Sequence, residues 1–434
     1  IFAGIAQLHA EKIVFKENFD STMSELKSKI LSHREERHHK IQFLKKGFKT
    51  VITVKANIPG DNKNIKEAYI LINLFKKLIP DDFIVEVTLD EGADGPSYII
   101  SSNIESTVVK ETLKNIEDTH FLGRFIDLDF YGDLHSLNRS KLSKCYLCNE
   151  EAFKCIRNAT HTIEELNTFI IDKVYIYYQN LIKSFIEESI LSELNLHPKF
   201  GLVTPITNGS HSDMNYETML MAKDAIIPFL LKMFKVGWTE CIDNVFLKIR
   251  SIGQDAEREM FDATKNINAY KGLIFNLGIL VSAYGYVVSN NIELSKIFDI
   301  VKHISKDVLD DFKKESKTFG YIAYKQYNIL GARGEVYKGI PHAKKALNYL
   351  KDLKDESRLR TLMYLISDTD DTVLLKRCKS YDKYIEVKRM FKENINSDLS
   401  VINDINQKCI DSNLSFGGSA DLLILTVFLK KIGL

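Results

Sequence analysis

The sequence predicts a two-part chain, an α+β domain over residues 1–172 followed by a mostly or all-α domain over residues 173–434. Three observations predict it. The length of 434 residues exceeds what one hydrophobic core usually supports. Period-two apolar alternation between Pro and Gly turns is concentrated before residue 172, and long helical patterns fill the remainder. With 45% hydrophobic residues, 10% aromatics and 7 Pro, the chain has material for cores and too little polar bias for general disorder.

The elements follow in order. Residues 21–47, STMSELKSKILSHREERHHKIQFLKKG, read as a helix with enough apolar positions for one-sided burial, its charges forming a solvated face. VITVKANIPG reads as a strand closed by Pro59 and Gly60, AYILINLFKKLIP as a helix stopped by Pro80, and DDFIVEVTLDEGADGPSYIIS as strand segments mixed with turns. Gly123 to Tyr131 reads as a strong strand, and a helix begins at Thr162. No Gly/Ser linker marks the division, which is expected near Lys173 inside a helical stretch. Leu273 to Val288 is apolar over 16 residues apart from Asn276, a pattern suited to a buried helix rather than a bilayer span.

Lys plus Arg number 59 against 58 Asp plus Glu, a formal charge of +1. That balance excludes whole-molecule attraction to nucleic acid or an anionic membrane, so any polyanion has to be gripped by local charge. Of the 6 Cys, three fall between Cys145 and Cys155, unlike a secreted disulfide framework. The segment IFAGIAQLHAEK lacks a basic leader and a small-residue cleavage site, and a cytoplasmic location is expected.

Several constellations carry chemistry. In GRFIDLDFYG, a period of two sets Arg124, Ile126 and Leu128 on one face and Phe125, Asp127 and Asp129 on the other. Neighbouring carboxylates of this kind suit Mg²⁺ bridged to phosphate, and equally an ordinary exposed strand face. Cys145, Cys148, Cys155 and His161 form C-x2-C-x6-C-x5-H, a Cys₃His set for structural Zn²⁺. A buried thiol cluster and a redox pair at Cys145 and Cys148 are the alternatives.

In the second half, Lys199, His211 and Asp213 offer a cation and two proton or metal handles near a Gly-containing turn. Glu257, Thr264, Asn268 and Lys271 would share a helical face within roughly 40 degrees if one helix ran through them. GARGEVYKGIP sets Arg333 and Glu335 among glycines, where backbone can approach a phosphate ligand. DTDDTVLLKRC clusters acids before Arg377, with Asp371 either a metal ligand or a helix cap. SFGGSADLLILTVFL places Gly417, Gly418 and Ser419 before an apolar helix whose first amides could hold an anion or simply form a capped turn.

Two resemblances organise these motifs. REER at 34–37, NIPG at 57–60, GRFIDLD at 123–129 and the Cys/His segment followed by EEL resemble apo-citrate lyase phosphoribosyl-dephospho-CoA transferase over about residues 30–170. The resemblance implies transfer of a phosphoribosyl-dephospho-CoA unit onto a carrier-protein serine with release of pyrophosphate. It implies Asp127 and Asp129 as metal-phosphate residues, Arg124 and Arg139 as phosphate partners, and Asn57 to Gly60 as a substrate-shaping turn. The segments from residue 180 onward resemble the triphosphoribosyl-dephospho-CoA synthases, implying formation of the precursor from ATP and 3′-dephospho-CoA with loss of adenine. By motif position, ATP or Mg²⁺ contacts fall to Asp213, Glu257, Glu335 and Asp371, and anionic-substrate contacts to Lys199, Lys271, Arg333 and Arg377. Gly417, Gly418, Ser419 and Asp421 would close the phosphate region, and Glu257 or Glu335 would polarise the attacking hydroxyl.

The chain departs from the synthase pattern at Ala269, Tyr270, Phe319, Val373 and Phe416. The expectation is a bifunctional enzyme acting on the citrate lyase acyl carrier protein, with no nucleic-acid or membrane partner and an open oligomeric state. Two alternatives stand beside it: a working transferase with a synthase half kept for binding or stability, and a non-catalytic zinc-stabilised interaction protein.

Overall fold

The structure is a computed structural model that describes residues 25–133, 144–148 and 150–434. It divides into two units, Ile1–Tyr178 and Gln179–Leu434.

In the first unit a four-stranded antiparallel sheet has the order β2-β3-β1-β4, from β1 (Thr50–Ala56), β2 (Glu86–Asp90), β3 (Ser97–Ser102) and β4 (Ile126–Tyr131). Helix α1 (residues 25–44) buries Ile30, His33, Arg37 and Ile41, which fall on one stripe. Ile41 packs with Val51 of β1 and Ile99 of β3. Alternation sends Ile52, Val54, Ile100 and Leu128 to the opposite side, all buried. Helix α2 (Lys66–Lys76) packs on β1, and α3 (Ser106–Thr119) packs on β4.

Most charges of α1 are exposed as expected, but one side of the helix turns its cations onto two buried aspartates. His33, Arg37 and Lys40 reach Asp90, and Arg34 and Arg37 reach Asp94, together with Lys55 from β1. Both aspartate side chains are fully enclosed. Burial alone would raise the Asp94 carboxyl, but hydrogen bonds from Arg34 and Lys55 and the nearby cations outweigh it and hold it at about 2. A composition-level reading of a charged helix misses this, because the two acceptors lie far along the chain.

The strand expected from Gly123 begins only at Ile126, since Gly123–Phe125 forms a 3₁₀ turn. A Cβ at Gly123 would strike the Glu117 carbonyl of α3, so the tight turn into β4 needs glycine. After the short helix α4 (Ala152–Arg157), helix α5 (Ile163–Leu194) starts from a reciprocal cap. Glu165 N–H donates to Thr162 Oγ1 at 3.1 Å, and Thr162 N–H donates to Glu165 Oε2 at 2.8 Å. The division between the units lies within α5.

Among its described residues the second unit is helical and contains no strand: α6 (Tyr216–Thr239), α7 (Ile242–Ala263), α8 (Lys271–Ser289), α9 (Ile297–Ile304), α10 (Phe319–Tyr327), α11 (Gly331–Tyr337), α12 (Pro341–Ala346), α13 (Asp355–Asp368), α14 (Thr372–Cys378), α15 (Tyr381–Asn394), α16 (Leu399–Asp411) and α17 (Gly417–Lys431). Helix α8 is the hub, touching α6, α7, α9, α11 and α17. It is long and apolar enough to cross a membrane by length and composition, yet 78% of that stretch is buried within the fold. Helices α6 and α8 approach closely because Gly237, Gly278 and Gly285 remove side chains at the crossing, where a Cβ would meet Ser282 O, Met233 Sδ or Phe234 O. Ser282 Oγ then donates to Met233 O at 2.9 Å across the gap.

Candidate active sites

Among the described residues each unit holds a sizeable cleft. In the first, a cavity of about 1260 Å³ is walled by the turn after β1, the exposed side of α3, β4 and the Cys/His segment. Asn57 and Gly60 line it, as do Arg124 and Asp129. Asn57 is tied by its N–H to Phe125 O at 2.8 Å. Gly60 has φ +81, and a Cβ there would also collide with Ile163, so the Pro-Gly turn is fixed by both backbone and space. Asp127 does not line the cleft; it lies opposite Lys55 in the β1–β4 register and lends negative potential at Lys63. Arg139 lies outside the described residues.

Arg124 does not sit on a strand face. From its 3₁₀ turn its Nη2 donates to Cys145 O at 2.9 Å and Lys144 O at 3.2 Å, and its guanidinium lies over the Tyr146 ring at 5.6 Å. The sequence reading missed Lys63, Lys110 and Lys114, which add positive charge to the same wall. Lys110 and Lys114 lie four apart on α3, a spacing visible in the sequence but indistinguishable there from a solvated face. Burial pushes the Lys63 ammonium down, against the raising influence of Asp94. The Cys/His set does converge: ligand atoms of Cys145, Cys148, Cys155 and His161 all lie within 4.8 Å of one another.

The second cleft, about 480 Å³, opens where the N-termini of α8 and α17, the α11–α12 corner and the loop before α14 meet. It gathers Lys199, His211, Asn268, Lys271, Arg333, Glu335, Asp371, Gly417, Gly418 and Asp421, which lie far apart in sequence. Asp213, Glu257, Arg377 and Ser419 do not line it. Asp213 sits 3.8 Å from His211 Nδ1, Arg377 bonds Asn413 Oδ1 at 2.9 Å, and Glu257 pairs with Lys271 at 2.8 Å.

The single helical face drawn from Glu257 to Lys271 is corrected by the chain path. Helix α7 ends at Ala263, Thr264 bonds back to Met260 O and Ile267 O, and α8 starts only at Lys271. The Glu257–Lys271 pair forms because the chain folds back. The positive φ values at Lys265 and Asn266 make that reversal, and helical periodicity cannot anticipate it.

Most of the charged side chains in the second cleft are already committed. Lys199 is fully enclosed and donates to Glu193 Oε1 at 2.8 Å and Glu193 O at 3.1 Å. Burial lowers its ammonium, with Glu193 opposing. Arg333 pairs with Asp311 at 2.9 Å and lies over Phe312. Asp371 is the N-cap of α14, its Oδ1 accepting Val373 N–H at 2.9 Å and Leu374 N–H at 3.1 Å. Its Oδ2 accepts the Ser419 N–H at 2.8 Å and Oγ–H at 3.0 Å, so one carboxylate caps two helices. The anion held at the start of α17 is thus the protein's own. Gly418 is needed there, since its Cβ would press on the Asp371 carboxylate.

Asp421 differs. No described residue donates a hydrogen bond to its carboxylate, and Gly272 leaves room for it where a Cβ would intrude. Burial pushes the Asp421 carboxyl well up, reinforced by Asp371 and Glu193. Tyr270 and Asn276, both buried, present an unpartnered hydroxyl and Oδ1 in this cleft.

His342, absent from the sequence reading, supplies a proton-carrying group. Its Nδ1 is 2.5 Å from Glu335 Oε2, and Glu335 Oε1 accepts the His342 N–H at 2.9 Å. Burial disfavours the imidazolium, but the Glu335 hydrogen bond and the charges of Glu335, Asp368 and Asp370 prevail and raise the histidine. Its position just after Pro341 at the start of α12 was the only sequence signal. Of the departures from the synthase pattern, Ala269, Tyr270 and Val373 line the cleft, while Phe416 is buried against Phe391.

Residues 179–434 match the family described as ATP:dephospho-CoA triphosphoribosyl transferase, and residues 26–176 match apo-citrate lyase phosphoribosyl-dephospho-CoA transferase. The chain is 30% identical to Protein CitXG of Leuconostoc mesenteroides subsp. cremoris, over 93% of this chain and 96% of that protein. It is 32% identical to the 2-(5''-triphosphoribosyl)-3'-dephosphocoenzyme-A synthase of Haemophilus ducreyi, over 66% of this chain and 99% of the relative. Protein CitXG of Haemophilus influenzae is 28% identical over 75% of this chain and 77% of its own length.

Proposed function

The chain belongs to the family that joins an apo-citrate lyase phosphoribosyl-dephospho-CoA transferase to an ATP:dephospho-CoA triphosphoribosyl transferase, and from that premise we propose how its two clefts share the work. The helical unit makes 2′-(5″-triphosphoribosyl)-3′-dephospho-CoA from ATP and 3′-dephospho-CoA. The α+β unit then attaches the phosphoribosyl-dephospho-CoA group to a serine of the citrate lyase acyl carrier protein and releases pyrophosphate.

In the synthase cleft the 2′-hydroxyl oxygen of dephospho-CoA bonds to C1 of the ATP ribose as the C1–adenine bond breaks, the hydroxyl proton passes to solvent, and the triphosphate stays on the transferred ribose. The departing adenine needs a proton. His342 delivers it: the 2.5 Å contact with Glu335 is the observation that carries this reading, because the carboxylate favours the protonated imidazole and orients it at the cleft wall. Glu335 is then a positioning residue rather than the base that its sequence position suggested. Lys271 and Arg333 at the cleft wall and the α8 N-terminus favour the anionic substrates, while Lys199 is spent on Glu193. Asp421 fits Mg²⁺ best, being a carboxylate without a donor beside Asp371 and Glu193. A bound Mg²⁺ supplies neutralisation of triphosphate charge.

In the transferase cleft the serine oxygen loses its proton to solvent and bonds to the α-phosphorus as the bond to pyrophosphate breaks. Lys63, Lys110, Lys114 and Arg124 line the wall that would balance the phosphate charge, and Asp129 lines the same cleft, where it could contribute a carboxylate to Mg²⁺.

Mass spectrometry of apo-carrier protein incubated with the enzyme, ATP, Mg²⁺ and 3′-dephospho-CoA tests the whole sequence. Full prosthetic-group addition with release of adenine and pyrophosphate is expected. Modification only when ready-made triphosphoribosyl precursor is supplied would overturn the synthase half, and no modification even with that precursor would overturn the transferase half, adenine release then reporting separately on the synthase.

A further inference from the structure

We propose that Cys145, Cys148, Cys155 and His161 bind one structural Zn²⁺ that fixes a wall of the transferase cleft and through it positions Arg124. The metal half of this inference stands on the cluster alone; the positioning half rests on the transferase reading given above.

Four ligand atoms of the right chemistry lie within 4.8 Å of one another, with Cys148 Sγ and Cys155 Sγ at 3.3 Å. Sulfurs around a tetrahedral Zn²⁺ with bonds of about 2.3 Å stand about 3.8 Å apart, so small side-chain adjustments would complete the shell. A second observation points the same way. His161 Nε2 is buried without a hydrogen-bond partner, a loss that a metal bond would make good. Four protein ligands leave no open position, which marks the site as structural rather than catalytic. Binding displaces the thiol protons to solvent and leaves three thiolates and a neutral imidazole on the ion.

The chain around these ligands is short of other anchors. Residues 144–148 form a turn, α4 has only 6 residues, and Ala159 lies at φ 47 before His161. Its apolar side chains Leu147, Phe153 and Ile156 are exposed, so they add little burial to order the segment. Yet it makes the contacts that set the cleft. Cys145 O and Lys144 O accept from Arg124, while Tyr146 Oη donates to Asn57 O at 3.4 Å and Arg124 O at 3.3 Å. Cys145, Cys155 and His161 themselves line the cavity, whereas Cys148 does not. Removing the metal would free the carbonyls that hold the guanidinium.

The test uses the full chain purified under reducing conditions. Elemental analysis should give one zinc per chain, and replacement by Co²⁺ should give the charge-transfer and visible bands of a tetrahedral thiolate site. Cys148→Ser should lose the metal and reduce carrier-protein modification from ready-made precursor by about tenfold or more, while adenine release by the helical unit stays unchanged and reports an intact fold there. Cys148→His, which keeps a ligand, should restore both metal and transfer. Metal-free wild type with no Co²⁺ uptake, or a Cys148–Cys155 disulfide in the reduced preparation, would overturn the site. Full transfer by the zinc-free variant would overturn the positioning role. Absence of transfer in zinc-loaded wild type would instead count against the transferase reading and leave the metal site standing.

Discussion

Glu335 Oε2 lies 2.5 Å from His342 Nδ1, and the same glutamate accepts the backbone N–H of that histidine, so one carboxylate fixes both the charge and the direction of the imidazole. His342→Gln should slow adenine release about 100-fold. The histidine is raised above its ordinary value, so its acid form persists to higher pH than that of a free imidazole, and the rate falls as pH rises through the folded pKa. Glu335→Gln removes the charge that opposes burial, and the alkaline limb of the rate profile should move to lower pH. A profile unmoved by this substitution would refute the pairing.

Tyr270 places a buried hydroxyl without a protein partner in the synthase cleft. Tyr270→Phe should leave the free protein as stable as before or stabilise it by about 1 kcal/mol, because an unmet polar group is removed. If the hydroxyl is held for substrate, KM for ATP or dephospho-CoA should rise in the same variant. Thermal unfolding beside steady-state kinetics separates the two effects.

Asp371 joins the start of α14 to that of α17 through four accepted hydrogen bonds. Asp371→Ala strips a cap and strands two buried donors of Ser419, at a cost of about 3 kcal/mol. Asp371→Asn keeps an acceptor and should cost less. Urea midpoints for the helical unit decide between them.

Asp94 gives the first unit an acid limit. Its folded pKa of about 2 lies below the ordinary 3.8, so its stabilisation is complete above about pH 4 and is lost as pH falls through 2. The difference corresponds to about 2 kcal/mol. Unfolding of this unit followed from pH 5 to pH 2 should show that loss in the wild type and a flatter dependence in Asp94→Asn.

Much of this was legible in the sequence where the signal is local. Alternation marks β1, the helix expected to run to Pro80 is present but stops earlier, at Lys76, and the apolar run from Leu273 belongs to a buried helix as its lone Asn276 suggested. The Cys/His spacing pointed to four residues that do converge. What failed needed the return of the chain. Helical phase placed Glu257 and Lys271 on one face, whereas a reversal at Lys265 and Asn266 brings them together. The basic face of α1 looked solvated because Asp90 and Asp94 come from another hairpin. Glu193 and His342 carried no motif; only packing shows that they meet the synthase cleft.

The double cap at Asp371 also fixes an order of assembly. Its Oδ1 bonds reach residues two and three positions away and can form as soon as α14 does, while its Oδ2 partner lies 48 residues downstream. Closing that loop carries the larger entropic cost and has to wait for α17 to be synthesised and docked. Substitutions at Ser419 or Gly418 should therefore chiefly quicken unfolding of the helical unit, with a smaller effect on its folding rate.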